Sequence, residues 1–157
     1  MKLSWSSIKV SIAGAKLSHL VQKDKIWDHG SMIEQVKTIF FKIQRIKNSG
    51  NIEDAKRYVT ENCFEKLKKE LNVLDMKGKT WIIKNPVIKE VAVVEVHPAK
   101  NNKPDSFIAL IKAKGIVFIT DKNKAMELID HSDHIHDFSE QWSFVRQGDW
   151  WLLNEIK

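Results

Sequence analysis

The last twenty residues, Phe138 to Lys157 (FSEQWSFVRQGDWWLLNEIK), constrain the fold more than any other stretch. They read as two short strands joined at Gly148-Asp149. Glycine takes positive φ at little cost, and Gly followed by one more residue suits a two-residue hairpin loop. That loop sets Arg146 opposite Trp151, Phe144 opposite Leu153 and Trp142 opposite Glu155. Side chains alternate along a strand, so Phe138, Glu140, Trp142, Phe144 and Arg146 share one face. A face this aromatic must be covered, and the rest of the chain is expected to cover it.

The chain has 157 residues, enough for one domain with a single core. With 43% hydrophobic and 29% charged residues it belongs with folded globular chains rather than disordered ones. One cysteine, Cys63, excludes an internal disulfide framework. It lies beside Phe64 in a helical pattern, which favours a structural thiol over a reactive one. Residues 1–84 carry 17 Lys and Arg against 9 Asp and Glu, whereas residues 85–157 carry 9 against 11. A basic half suits anionic partners, acidic protein or lipid among them, as well as plain solvation of a lysine-rich helix surface. Lysine outnumbers arginine and no Arg-rich, aromatic-interleaved run exists, so nucleic acid is not the expected partner. No stretch approaches the roughly 20 apolar residues of a membrane span. Lys9 interrupts the N-terminal apolar segment, against a signal peptide. The expected location is the cytoplasm or the periphery of a membrane.

The helical half comes first. Trp5, Ile8 and Ile12, then Leu17, Leu20 and Val21, stand at helical spacing with lysines between them. Residues 1–30 are read as an N-terminal arm that packs on the domain, or as an amphipathic helix resting on a membrane or partner. His29-Gly30 is read as a break, and Ser31 with Glu34 as a capping box. Met32, Val36, Ile39, Phe40, Ile43 and Ile46 then mark one face of a helix that stops at Asn48-Ser49-Gly50. Asn51 is expected to cap a short helix through Tyr58. Thr60 is expected to cap the next, with Phe64, Leu67, Leu71 and Leu74 as its buried stripe and Gly78 as its end.

From Thr80 the residues become β-branched and aromatic. Trp81 to Ile83 reads as a short edge strand limited by Pro86, and Val87 to His97 as a strand covered on both faces. Pro98 to Asp105 is a polar turn. Phe107, Ala109, Ile111, Ala113, Gly115, Val117 and Ile119 alternate along a long strand. Its small residues point to curvature or close helix packing. Residues 121–137 read as a polar loop with one helical turn at Lys124–Ile129. Helices followed by an antiparallel meander give an α+β fold, three helices on a strongly curved sheet of about four strands.

Several of these segments together resemble a known family. A helix with Phe40, Phe41, Ile43 and Gln44 leads to Arg57-Tyr58-Val59-Thr60. Four strands then lead to Glu140-Gln141-Trp142-Ser143-Phe144-Val145-Arg146 and to Trp151, Leu153 and Ile156. Over roughly residues 31–157 this is similar to the translocase-of-inner-membrane 44-like domain, found in bacterial proteins and in a mitochondrial import subunit. The resemblance implies a cone-shaped, nuclear transport factor 2-like fold with a hydrophobic mouth. It also implies proteins that tether to membranes or to other proteins.

Candidate chemistry is sparse. Glu140 shares a face with Trp142 and Phe144, where desolvation would raise its pKa unless a cation paired with it. It reads as a structural carboxylate, or as a general base if the cone hosts chemistry. His131, Asp133, His134, His136 and Asp137 crowd into one loop, but their spacing matches no closed zinc pattern, so neither metal nor cofactor is expected. Trp142 and Trp151 read as core; Trp5, Trp27 and Trp150 read as rim or interface. The expected function is a non-catalytic binding module. Glu140, Trp142, Phe144 and Arg146 would line its groove, and Trp5, Ile8, Lys9 and Trp27 would form a second contact. A protein, a peptide, a lipid or an anionic membrane is the expected partner. The alternative is a small-molecule enzyme built on Glu140.

Overall fold

The computed structural model describes residues 4–121 and 135–157, apart from the side chains of residues 80–81 and 118–121. Three α-helices come first: α1 (Trp5–Leu20), α2 (His29–Ser49) and α3 (Glu61–Met76). The strands β1 (Lys79–His97), β2 (Ser106–Asp121), β3 (His136–Gln147) and β4 (Trp150–Ile156) follow. They form one antiparallel sheet in the order β1-β2-β3-β4. Short 3₁₀ segments, Lys25–Trp27 and Ile52–Arg57, link the helices. The expected α+β order is therefore the observed one.

Helix α2 starts earlier than the capping-box reading placed it. Asp28, not Ser31, is the N-cap, and its carboxylate accepts the Ser31 N–H at 2.9 Å. His29 and Gly30 form the first turn rather than a break. Glu34 pairs with Lys37 at 3.8 Å instead of reaching back. The buried stripe is the expected one, Met32, Val36, Ile39, Phe40, Ile43 and Ile46. Gly50 ends the helix in the left-handed region at φ 75°.

Thr60 caps α3: its hydroxyl accepts from the Cys63 N–H at 3.3 Å and donates to Asn154 Oδ1 at 2.8 Å. Asn51, by contrast, makes no cap; its amide donates to Asp54 at 3.2 Å. Cys63, Phe64 and Leu67 are buried while Leu71 and Leu74 are half-buried. Burial pushes the Cys63 thiol up to about 11, as befits an inert structural thiol.

Pro86 does not end a strand. β1 runs through it, because Pro86 sits where the register shifts between Lys84 and Val87 and no ladder donor is needed. Asn85 takes φ 51° there. Two further shifts, between Ile88 and Glu90 and between Val93 and Glu95, add bulges of the kind that bend and twist a sheet. Gly115 is explained by its neighbouring strand rather than by a helix: an added Cβ would lie 2.8 Å from Ile83 Cδ1. The terminal hairpin pairs Arg146 with Trp151 and Phe144 with Leu153 as expected, and Gly148 holds the turn at φ 60°. A shift between Ser143 and Phe144 then brings Trp142 opposite Ile156 instead of Glu155. Both sheet edges are partly covered. The Asn48 amide exchanges hydrogen bonds with the Ile83 backbone at 2.9 and 3.0 Å, and Tyr58 and Thr60 bond the Leu153 backbone at 2.9 Å.

Candidate functional site

The aromatic face of the hairpin is closed. Trp142 and Phe144 are 0% exposed. Phe40 of α2 lies 5.5 Å from Trp142, and Phe107 stacks on Phe144 at 4.9 Å. These two residues hold the sheet to the helices; they do not line an open cone mouth. Trp27 is corrected in the same way. It is 3% exposed, with its ring 5.1 Å from Trp151, so it is core and not rim. Glu140 is half-buried between Phe138 and Trp142 and opposite Ile111.

Arg146 turns out to be a clamp. Its Nη1 donates to Asp24 Oδ2 and, at 3.0 Å, to Asp105 Oδ2, while its Nε donates to the Gly148 carbonyl at 2.7 Å. The segment between α1 and α2, the β1–β2 loop and the hairpin turn thus meet on one guanidinium. The bond from Arg146 holds the Asp24 carboxyl below its ordinary value, helped by the Ile26 N–H, and the two carboxylates raise Arg146 in turn. Neither partner was legible in the sequence.

Two open surfaces among the described residues bear on binding. On α1, Trp5 is 71% and Ile12 54% exposed. Lys9 lies between them on the same stripe, its ammonium 5.9 Å from the Trp5 ring centroid and 3.6 Å from Glu95. Ile8 is half-buried, and the helix is fastened through buried Ala13 and Leu17.

The second surface is a groove of about 500 Å³ between α2, the end of the second 3₁₀ segment and β4. Ile39 and Trp151 form its floor, Gln35, Thr38 and Gln147 its polar lip, and Arg57 and Tyr58 its far end. Trp150, 68% exposed at the start of β4, is among the residues that line it. Gln35 is fixed by accepting the Trp151 N–H at 3.2 Å, and the Trp151 indole donates to the Ile26 carbonyl at 3.3 Å. The sequence marked Trp150 as a rim residue but gave no sign of the groove it lines.

Of the histidine loop, His131, Asp133 and His134 lie outside the described residues, as does the helical turn expected at Lys124–Ile129. His136 and Asp137 open β3, and Asp137 takes Lys89 at 3.4 Å. Among the described residues, no group of three His, Cys, Asp or Glu is placed to hold a metal. No helix of the described residues is long and apolar enough to cross a membrane.

The architecture is shared with the intermembrane-space region of the chloroplast protein ARC6, at TM-score 0.53 and 11% identity, covering 79% of this chain and 93% of that one. At that identity the likeness is one of fold. The putative transfer protein TraH from the Gram-positive conjugative plasmid pIP501 has TM-score 0.45 and 12% identity, over 83% and 92% of the two chains. None of the curated proteins matches the sequence. The family model of the Tim44-like domain matches residues 13–157, from the middle of α1 to the end of the sheet, and the chain belongs to that family.

Proposed function

We propose that this chain is a non-catalytic interaction domain that holds a protein partner in the groove lined by Trp150. One observation carries the reading: a large aromatic side chain, 68% exposed, lines a groove of about 500 Å³ together with Ile39, Trp151 and several polar side chains. Exposed aromatic anchors over desolvated pockets are the pattern of binding hot spots. The enzyme alternative finds less support. On its face of the sheet Glu140 has Phe138, Trp142 and Ile111 as neighbours, so no acid–base partner stands beside it in the register. The test is site-specific photo-crosslinking in the source cells, with the probe at Trp150 or at exposed Lys112 on β2. A crosslinked protein is expected from position 150 alone, and Thr38→Trp, which fills the groove, should abolish it. Equal crosslinking from both positions would remove the groove from consideration.

The α1 stripe favours a second, compatible contact, peripheral attachment to an anionic membrane. Trp5 and Ile12 are positioned to enter the headgroup region, with Lys9 and Lys16 beside them. Each lysine near such a surface contributes about 1 kcal/mol, screened by salt. Removing the whole segment would strip Leu17 and Trp27 from the core, so point substitution is the clean probe. In co-sedimentation with phosphatidylserine-containing vesicles, Trp5→Ser/Ile12→Ser is expected to lose most of the pelleted protein, and added salt to do the same. Unchanged, salt-insensitive pelleting would exclude α1 as the attachment.

A further inference from the structure

The groove does not stop at Arg57. A second hollow of about 330 Å³ continues from it, and the two share Arg57 and Tyr58. Along α2 their common wall is Gln35, Thr38, Lys42, Arg45 and Ser49, spaced three and four residues apart and so on one stripe of the helix. At 1.5 Å per residue this stripe is about 21 Å long, which about six or seven residues of extended chain would span.

The two ends differ in chemistry. Trp150, Trp151 and Ile39 make one end apolar. Lys42, Arg45 and Arg57 crowd the other, facing one carboxylate, Asp54. None of these three cations pairs with a described residue, in contrast to their neighbours. Lys56 holds Glu53 at 2.7 Å, and Lys37 and Lys66 hold Glu34 and Glu155 at 3.8 Å each. Three positive charges thus stand against a single carboxylate among the described residues, and two of the three groups are guanidinium forks suited to carboxylates.

We propose that the joined groove receives an extended acidic segment of a partner protein, with its carboxylates on Lys42, Arg45 and Arg57 and an apolar side chain against Trp150. This rests on the interaction-domain reading and gives the partner a chemistry and a direction. A nucleic-acid strand carries charge along its whole length and would set a phosphate against Glu34 at the apolar end. An acyl chain would set the Thr38 hydroxyl and the Gln147 amide against hydrocarbon, with nothing from the ligand to bond them. A peptide uses both ends and offers its amides to those side chains.

The test is selection of a displayed random-peptide library, about seven residues long, on the full chain. Enriched sequences are expected to be rich in Asp and Glu toward one end, with an aromatic or aliphatic residue toward the other. By fluorescence anisotropy, the synthesised peptide should weaken with salt and lose about tenfold or more in affinity on Arg45→Glu/Arg57→Glu. Both arginines are exposed, so the variant's circular dichroism and melting should match the parent's. Selected peptides that are uncharged, are blocked by Thr38→Trp and ignore the charge reversal would overturn the acidic partner and leave the groove reading standing. Peptides indifferent to both changes would overturn both. An oligonucleotide or anionic vesicles binding more tightly than any selected peptide, with the same sensitivity to Arg45→Glu/Arg57→Glu, would reassign the cations to phosphate.

Discussion

Trp151→Ala is expected to destabilise the domain by about 3–5 kcal/mol, the range for emptying a large buried aromatic site. The residue is 1% exposed and joins three parts of the chain. Its ring packs against Trp27 at 5.1 Å and edge-on against Phe107 at 4.8 Å. Its indole N–H satisfies the Ile26 carbonyl. Truncation therefore costs the burial and leaves both a cavity and an unbonded carbonyl. Trp151→Phe separates these effects: it keeps most of the apolar contact and should lose only about 1–2 kcal/mol, the cost of the missing hydrogen bond with some loss of packing. Urea unfolding of the three proteins measures both steps. Since domains are stable by only about 5–15 kcal/mol, the alanine variant should be close to unfolding at physiological temperature. A loss below about 1 kcal/mol for alanine would mean that Trp27 and Phe107 close over the site and that this junction does not hold the Lys25–Trp27 segment to the sheet.

Arg146→Ala comes second, with an expected loss of about 1–2 kcal/mol at neutral pH. The figure is discounted from that of a buried ion pair because the side chain keeps 25% exposure. Asp105, 15% exposed, would keep its bond from the Ala99 N–H and lose its cation. The effect has a pH signature. The Asp24 carboxyl is held below its ordinary 3.8 in the folded protein, mainly by Arg146. A depressed carboxyl stabilises the fold above its unfolded value, and that contribution is lost as pH falls through the folded value. The gap between parent and Arg146→Ala should therefore be full at neutral pH and shrink once pH drops below 3.8. Asp28, lowered by its bond from the Ser31 N–H, leaves an acid-sensitive contribution in both proteins. Denaturant titrations across this range give the comparison. A gap that stayed constant into acid would show that Arg146 stabilises by packing alone.

The pattern of the residues carried the architecture because it is local. Alternation from Phe138 to Arg146 and the Gly148 turn can only be read as a hairpin. The stripe from Met32 to Ile46 can only be read as a helix with one buried face. An antiparallel sheet after helices then leaves few ways to bury both. Periodicity says which face a side chain is on and nothing about what covers that face. Trp142 and Phe144 therefore read as the lining of a groove, whereas in the fold Phe40 covers Trp142 and Phe107 stacks on Phe144. For the same reason Trp27, at the edge of an ambiguous segment, looked like a rim residue.

Turn and strand rules likewise did not reveal that β1 passes Pro86 on a bulge or that β4 slips its register to set Ile156 opposite Trp142. Both depend on which backbone donors the neighbouring strand needs. The open groove was legible only in part. The spacing of Gln35, Thr38, Lys42, Arg45 and Ser49 marks a polar stripe, but most polar stripes face water. It becomes a wall only because the second 3₁₀ segment and β4 come to lie opposite it. Arg146 is the sharpest case. Its partners are 122 and 41 residues away, and no local spacing announces them. Helices, strands and their inward faces were thus determined by the sequence itself, since they follow from neighbours a few residues apart. The clamp, the closed aromatic face and the groove were decided by the tertiary structure, because each needs segments that only the packing of helices on the sheet brings together.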